Sequence, residues 1–228
     1  MTAPEVRHPI FARVFHRLCP LMEREAGRHR AELVAGLSGR VVEIGAGNGA
    51  NFKHYPATVD DVVALEPESY LRGKAQHAAR CAAVPVSVSE DPADALPLAD
   101  ATCDAAVASL VLCTVPNPAG ALAELRRVLK PGGELRFFEH VRSEHPREAR
   151  RQQRLDRTGL WPRLAGGCHC ARDTVTAIEV AGFDVKHVRK FDLGPSSMHT
   201  NPHVIGVARL PVEPVNQRGT DRFEDHEA

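Results

Sequence analysis

The chain has 228 residues, 43% hydrophobic and 25% charged, which suits one domain with a sizeable core. Lysine plus arginine equals aspartate plus glutamate at 29 each, so no whole-chain field draws nucleic acid or an anionic membrane surface. No apolar run is long enough to span a bilayer, and the opening MTAPEVRHP is charged where a signal core is greasy, so a cytoplasmic chain without stable membrane insertion is expected.

Phe11, Val14, Phe15 and Leu18 fall at i, i+3, i+4 and i+7, the spacing of one helix face. Pro20 is expected to interrupt that helix, with a second helical piece over Leu21 to Leu37. The period then changes. Arg40 to Ile44 reads as a strand running into a glycine turn, followed by a helical stretch through His54. Asp61 to Leu65 is a second strand, Ser69 to Arg80 a helix, Val84 to Ser89 a third strand and Cys103 to Ser109 a fourth. Asn117 can cap the next helix, Pro118 fits its first turn, and Leu122, Leu125 and Leu129 line one face. Lys130-Pro131-Gly132-Gly133 is expected to end it, and Glu134 to Glu139 is a fifth strand. The alternation loosens over Arg142 to Gly167, where the basic cluster Arg147 to Arg157, mixed with Glu148 and Asp156, reads as a solvated helix face. Asp173 can cap a helix reaching Ala181, stopped by Gly182, before late strands at Phe183 to Arg189 and Val204 to Ala208. The charged residues from Pro211 onward are expected to be disordered.

Strands alternating with helices imply a parallel sheet covered on both faces, with ligands bound beyond the carboxyl ends of its strands. The first strand ends in Val41-Val42-Glu43-Ile44-Gly45-Ala46-Gly47-Asn48-Gly49. Its glycines allow a tight turn and close approach of a ligand, and a helix N-terminus behind them would offer free amides to a carboxylate. The spacing is GxGxG rather than the GxGxxG of dinucleotide sites, with Ala50 in place of the third glycine and Asn51 after it. Glu66, at the end of the second strand and before Pro67, can accept hydrogen bonds from both hydroxyls of a ribose or simply cap the following helix. Of the six cysteines (Cys19, Cys81, Cys103, Cys113, Cys168 and Cys170) only Cys168 and Cys170, with His169 between them, form a cluster. That cluster lacks a second CxxC or a spaced histidine pair, so no metal is expected, and cytosolic thiols stay reduced.

From Gly39 to Val141 the order VVEIGAGNG, VVALEPE, LPLADATCDAAVASLVLCTV and LRRVLKPGGELRFFEHV resembles the class I S-adenosylmethionine-dependent methyltransferases of the methyltransferase type 11 group. The resemblance implies a Rossmann-like α/β fold, a mostly parallel seven-stranded sheet with an antiparallel last strand and helices on both faces. It also implies S-adenosyl-L-methionine as cofactor. Glu43, Gly45 and Gly47, with Ala46, Gly49 and Asn51 of the same turn, would border its methionine part. Glu66 and Pro67 would lie at the ribose, Ala93 and Asp94 near adenine, and Ser109 and Leu110 near the sulfonium. Three parts follow: a helical cap at 1–38, the methyltransferase domain at 39–210 and a tail at 211–228.

A narrower likeness lies in GANFKHYP (49–56), SLVLCTV (109–115), EHV (139–141), GCH (167–169) with RDT soon after, and NPHVIGVA (201–208). These look like the group containing membrane-associated thiol S-methyltransferases, whose vertebrate members carry a hydrophobic N-terminal anchor not expected here. Methyl transfer from a sulfonium is an in-line displacement, and positioning alone can supply effective molarities of about 10⁵ M or more. A thiol acceptor, with a pKa of about 8.5, must also lose its proton. His140 and His169 are the candidate bases, with Arg142 a candidate positive charge, and Cys113 falls close by. The expected function is methylation of a small-molecule acceptor such as a thiol. O-, N- or C-methylation of a lipid, quinone or secondary metabolite is the alternative within enzymes, and cofactor binding without turnover the alternative outside them. The 1–38 and 142–170 segments, which interleave apolar and polar residues, are expected to close over the cofactor and build the acceptor pocket.

Overall fold

The computed structural model describes residues 9–193 and 202–212. Helix α1 (Pro9–Val34) leads into strand β1 (Gly39–Ile44), followed by β2 (Val59–Leu65), α2 (Ser69–Ala79), β3 (Val86–Ser89) and β4 (Cys103–Ser109). The second half runs α3 (Pro118–Val128), β5 (Leu129–His140), α4 (Pro146–Thr158), α5 (Leu160–Leu164), α6 (Thr174–Val180), β6 (Asp184–Asp192) and β7 (Pro202–Arg209). The sheet order is β3-β2-β1-β4-β5-β7-β6. Strands β1 to β5 pair in parallel, and β7 runs antiparallel to both β5 and β6. This is the seven-stranded α/β sheet expected.

The central strands β1, β2 and β4 are buried on both faces at their carboxyl-terminal halves because apolar residues occupy both phases, whereas the edge strands β3 and β6 are partly exposed. Val42, Ile44, Ala106, Ala108, Leu135 and Phe137 join Leu122, Leu125 and Ile178 of α3 and α6 in one core. Val41, Val62, Ala64, Ala105, Val107 and Phe138 join Leu33 and Val34 of α1 and Ala75 of α2 in the other. Two helix starts follow the sequence rules. Asn117 accepts a hydrogen bond from the Gly120 N–H at the head of α3, and Asp173 accepts from Thr176 at the head of α6.

Three boundaries differ from expectation. Helix α1 continues through Pro20. A proline inside a helix removes one N–H donor, a local cost, and buried Ala12 on one side with Ala26, Leu33 and Val34 on the other anchor the helix across it. No α-helix follows β1; Phe52–His54 make one 3₁₀ turn only. Gly45, Gly47 and Gly49 all take positive φ, and the side chains of Asn51 and Tyr55 turn inward instead of capping. Helix α3 stops at Val128, before Lys130-Pro131-Gly132-Gly133, which the structure takes into β5. The register of β4 against β5 shifts between Cys103 and Ala105 to accommodate the added length. The loosely patterned stretch after β5 holds α4 and α5, and the arginines of α4 face outward as expected. All but the first two residues of the 211–228 tail lie outside the described residues.

Candidate active site

The order of the sheet reverses at β1, which lies between β2 and β4, so the carboxyl ends of β1 and β4 form the crevice where open α/β sheets take ligands. Both sides of that crevice are closely fitted. A Cβ on Gly45 would fall 2.3 Å from Cγ2 of Val111, so only glycine lets the β1 turn lie against the turn after β4.

Beneath the glycine turn is a buried polar network. Glu43, 1% exposed, accepts from Asn51 Nδ2 at 2.7 Å and from the Tyr55 hydroxyl at 2.8 Å. Arg30 of α1, also buried, donates through Nη1 to Asn51 Oδ1 and to Ser109 Oγ, each at 3.0 Å. Burial pushes the Glu43 carboxyl up to about 7 against the opposing pull of Tyr55, Asn51 and the Arg30 charge. Thus Glu43, Asn51 and Ser109, separate sequence candidates, form one unit through a residue of the N-terminal helix. Arg30 was not foreseen. Its signal was present, however: a cation on the apolar stripe that also carries Ala26 and Leu33.

Glu66 closes the other side. Its Oε2 accepts from the Gly47 N–H at 2.8 Å and its Oε1 from the Glu68 N–H at 2.9 Å. Burial raises this carboxyl to about 7 as well. Capping of α2 falls to Glu68, which accepts from Leu71 N. Glu66 therefore ties the end of β2 to the glycine turn, and its four lone-pair sites leave room for two further donors such as a ribose diol. The carbonyl of Pro67 accepts from Arg72. Ala93 and Asp94 form a turn after β3, with Asp94 exposed and beside Gly120 at the start of α3. Ala46 is buried in the core under α1 and α2, and a Cβ on Gly49 would fall 2.8 Å from Ala78 of α2.

On the far side of the crevice Leu110 takes a positive φ of 57°, unusual for a branched side chain, and donates its N–H to the Phe138 carbonyl. The turn it opens is clasped by Glu139 of β5, fully buried, which accepts from the N–H groups of Val111 (3.0 Å), Leu112 (2.9 Å) and Cys113 (3.1 Å). Burial raises Glu139 to about 7 in spite of those three donors. This second clasp was also unforeseen, although an acid in phase with buried Leu135 and Phe137 marks it.

His140 ends β5 at 8% exposure. Its Nδ1 lies 3.4 Å from the Cys168 sulfur, its ring stacks on His203 of β7, and its Nε2 is buried with no hydrogen-bond partner among the described residues. His169 is half-buried and donates its backbone N–H to the Cys113 carbonyl. Arg142 is exposed and pairs with Asp173 on the surface. Helix α4 fixes this wall: Gln152 bonds Ser143 and Val141, and Asp156 accepts from the N–H groups of Cys170 and Ala171. A cavity of about 760 Å³, within the range of small-molecule sites, opens beside it and is lined by Val141, Arg172, Val175, Phe191, His203 and Val204 among others. Its walls come from the end of β6, the start of β7 and the residues that follow β5, and the residues assigned to the cofactor do not line it.

The sheet, its glycine crevice and the acid at the end of β2 define a methyltransferase. A methyltransferase-domain family model matches residues 42–137. Human thiol S-methyltransferase TMT1B is 32% identical over 202 residues, 84% of this chain and 82% of that protein. Human thiol S-methyltransferase TMT1A is 34% identical over 76% of this chain and 72% of its own length. In fold, an S-adenosylmethionine-dependent methyltransferase from Thermotoga maritima superposes with a TM-score of 0.61 at 23% identity, over 87% of this chain and 99% of that one. The chain belongs to the methyltransferase family that contains these thiol S-methyltransferases, and it is an S-adenosylmethionine-dependent enzyme. Among the described residues no helix is long and apolar enough to cross a membrane.

Proposed function

We propose that the chain methylates a small, rather apolar thiol, with His140 as the base that prepares it. S-adenosylmethionine supplies the electrophilic methyl group on its sulfonium. Glu43, Gly45, Ala46, Gly47, Gly49 and Asn51 are assigned to its methionine part, Glu66 and Pro67 to its ribose, Ala93 and Asp94 to adenine, and Ser109 and Leu110 to the side facing the acceptor. The fit is physical: the glycine turn is held open by positive φ at three positions, and Glu66 keeps acceptor capacity beyond its two backbone bonds.

One observation carries the assignment of the base. His140 stands at the carboxyl end of β5 with a buried Nε2 that has no partner among the described residues, and a buried polar atom left unbonded costs about 1–3 kcal/mol, a cost that a function for the atom would explain. His169, which shares the 167–170 wall, is the second candidate. A thiol as acceptor is supported by the thiol S-methyltransferase activity of the human relatives and by the balanced charge of the chain, which favours neither nucleic acid nor large anions. We assign acceptor entry to the 760 Å³ cavity, because His203 lines it and stacks on His140, and location to the cytoplasm.

The test is a panel of thiols, phenols, amines and quinols with labelled S-adenosylmethionine, scored by product mass. Small thiols should react fastest. His140→Ala should still bind cofactor while turnover falls about 10²–10⁴-fold, and that deficit should shrink at high pH or with acidic thiols, which ionise unaided. A phenol, amine or quinol methylated far faster than every thiol would overturn the acceptor class.

A further inference from the structure

The wall behind His140 brings two cysteines together from distant parts of the chain. The His169 N–H donates to the Cys113 carbonyl at 2.8 Å, and a Cβ on Gly167 would lie 3.0 Å from the Thr114 carbonyl oxygen. The 167–169 backbone therefore runs directly against 113–114, which brings Cys168 and Cys113 onto adjoining segments. The two thiols sit on these adjoining segments, each shifting the ionisation of the other, and His140 Nδ1 approaches the Cys168 sulfur at 3.4 Å. Cys168 is partly exposed, whereas Cys113 is 2% exposed behind it.

We propose that Cys168 and Cys113 form a dithiol that cleaves small-molecule disulfides, with Cys168 as the attacking thiolate and Cys113 as the resolving thiol. This activity does not depend on the nature of the methyl acceptor. Interaction with Cys113 and the neighbouring His140 both favour the Cys168 thiolate, holding its pKa below the usual thiol range, while Cys168 and burial push Cys113 up. The attack forms a bond from Cys168 sulfur to one sulfur of R–S–S–R, breaks the R–S–S–R bond and releases R–S⁻. Cys113 then gives up its proton and attacks the Cys168 sulfur, and the second R–S⁻ leaves and takes up that proton. The protein loses two electrons to a disulfide that gains two, and two thiols appear per chain in a single round. Cys170, though two residues away, takes no part. It points instead to Asp156 and the Gln152 carbonyl, and its thiol is raised to about 12 by burial and by Asp156.

The probe is bis(2-hydroxyethyl) disulfide added to the full-length reduced chain at pH 6, with thiol release followed and the product mapped by peptide mass. An ordinary thiol is only about 0.3% ionised at that pH. Allowing for the weaker nucleophilicity of a low-pKa thiolate, Cys168 should react about tenfold faster than a free cysteine peptide. The expected product is a Cys113–Cys168 disulfide with two molecules of 2-mercaptoethanol released. In Cys113→Ser the reaction should halt at a lasting mixed disulfide on Cys168. Reaction no faster than the peptide, or a wild-type chain that keeps an adduct on Cys168 with Cys113 free, would overturn the proposal, and the wild-type map decides it even if the variant fails to fold.

Discussion

Glu66 holds the glycine turn through one oxygen and the start of α2 through the other, so its removal is felt locally and at the cofactor. Glu66→Ala should weaken binding of S-adenosylhomocysteine by about 1.5–3 kcal/mol, the scale of hydrogen bonds to a charged group, measured by calorimetry on a chain shown to be folded. Glu43 invites a different test. Its carboxyl is raised from 4.5 to about 7 by burial, so the folded chain holds that proton more tightly than the unfolded one. The stability this contributes is complete below pH 4.5 and is lost as pH rises through about 7. Glu43→Gln can keep the Asn51 and Tyr55 partners without titrating. Wild type should therefore lose stability relative to Glu43→Gln between pH 5 and pH 7.5, measured by urea unfolding across that range. A constant difference would mean that Glu43 is charged throughout. The pairing of Glu43 with Asn51 and Tyr55 was within reach of the sequence because all three lie within one short stretch after β1. Arg30 was not, because its partner Ser109 is 79 positions away and local patterning carries no information across such a distance.

Helix α1 is more than a cover. Its second half is core, and its first half meets both the glycine turn and the segment after α5. Phe15 lies 3.8 Å from where a Cβ on Gly47 would stand, and a Cβ on Gly166 would strike the Phe11 ring. If 1–38 and 142–170 close over the cofactor together, amide exchange should slow in both when S-adenosylhomocysteine binds, and equal rates with and without it would remove the lid. Arg30→Met tests the core half: it keeps the stem but leaves the buried Asn51 Oδ1 and Ser109 Oγ without this donor, and should destabilise the fold by about 1–3 kcal/mol, read by urea unfolding. At this scale helix caps and strand starts were legible, as Asn117, Asp173 and the boundaries of β4 show. Those signals act over three or four residues. The continuation through Pro20 and the missing helix after β1 were not legible, because tertiary burial overrode a local rule in the first case and inward side chains did so in the second.

Across the molecule, three buried carboxyls, Glu43, Glu66 and Glu139, stand at the carboxyl ends of β1, β2 and β5, each raised by burial. A ligand that binds only the folded chain stabilises all of this at once. At a hundredfold excess over its dissociation constant, S-adenosylhomocysteine should add about 2.7 kcal/mol, which for a chain of this size raises the melting temperature by about 5–11 °C; NAD should leave it unchanged. The parallel sheet and its crevice were legible from alternation and from the glycine spacing. The stacking of His140 on His203 was not, because it depends on how β7 is inserted, nor was the approach of 167–169 to Cys113, because it joins distant parts of the chain. That insertion also bears on how the protein is made. Strand β7, the last of the described strands to be synthesised, is the one that β5 and β6 both require as neighbour. Until it leaves the ribosome, β5 offers an open edge beside Phe137 and Phe138, the kind of edge that recruits other chains. A stop codon before Pro202 should therefore yield insoluble protein rather than a shorter enzyme.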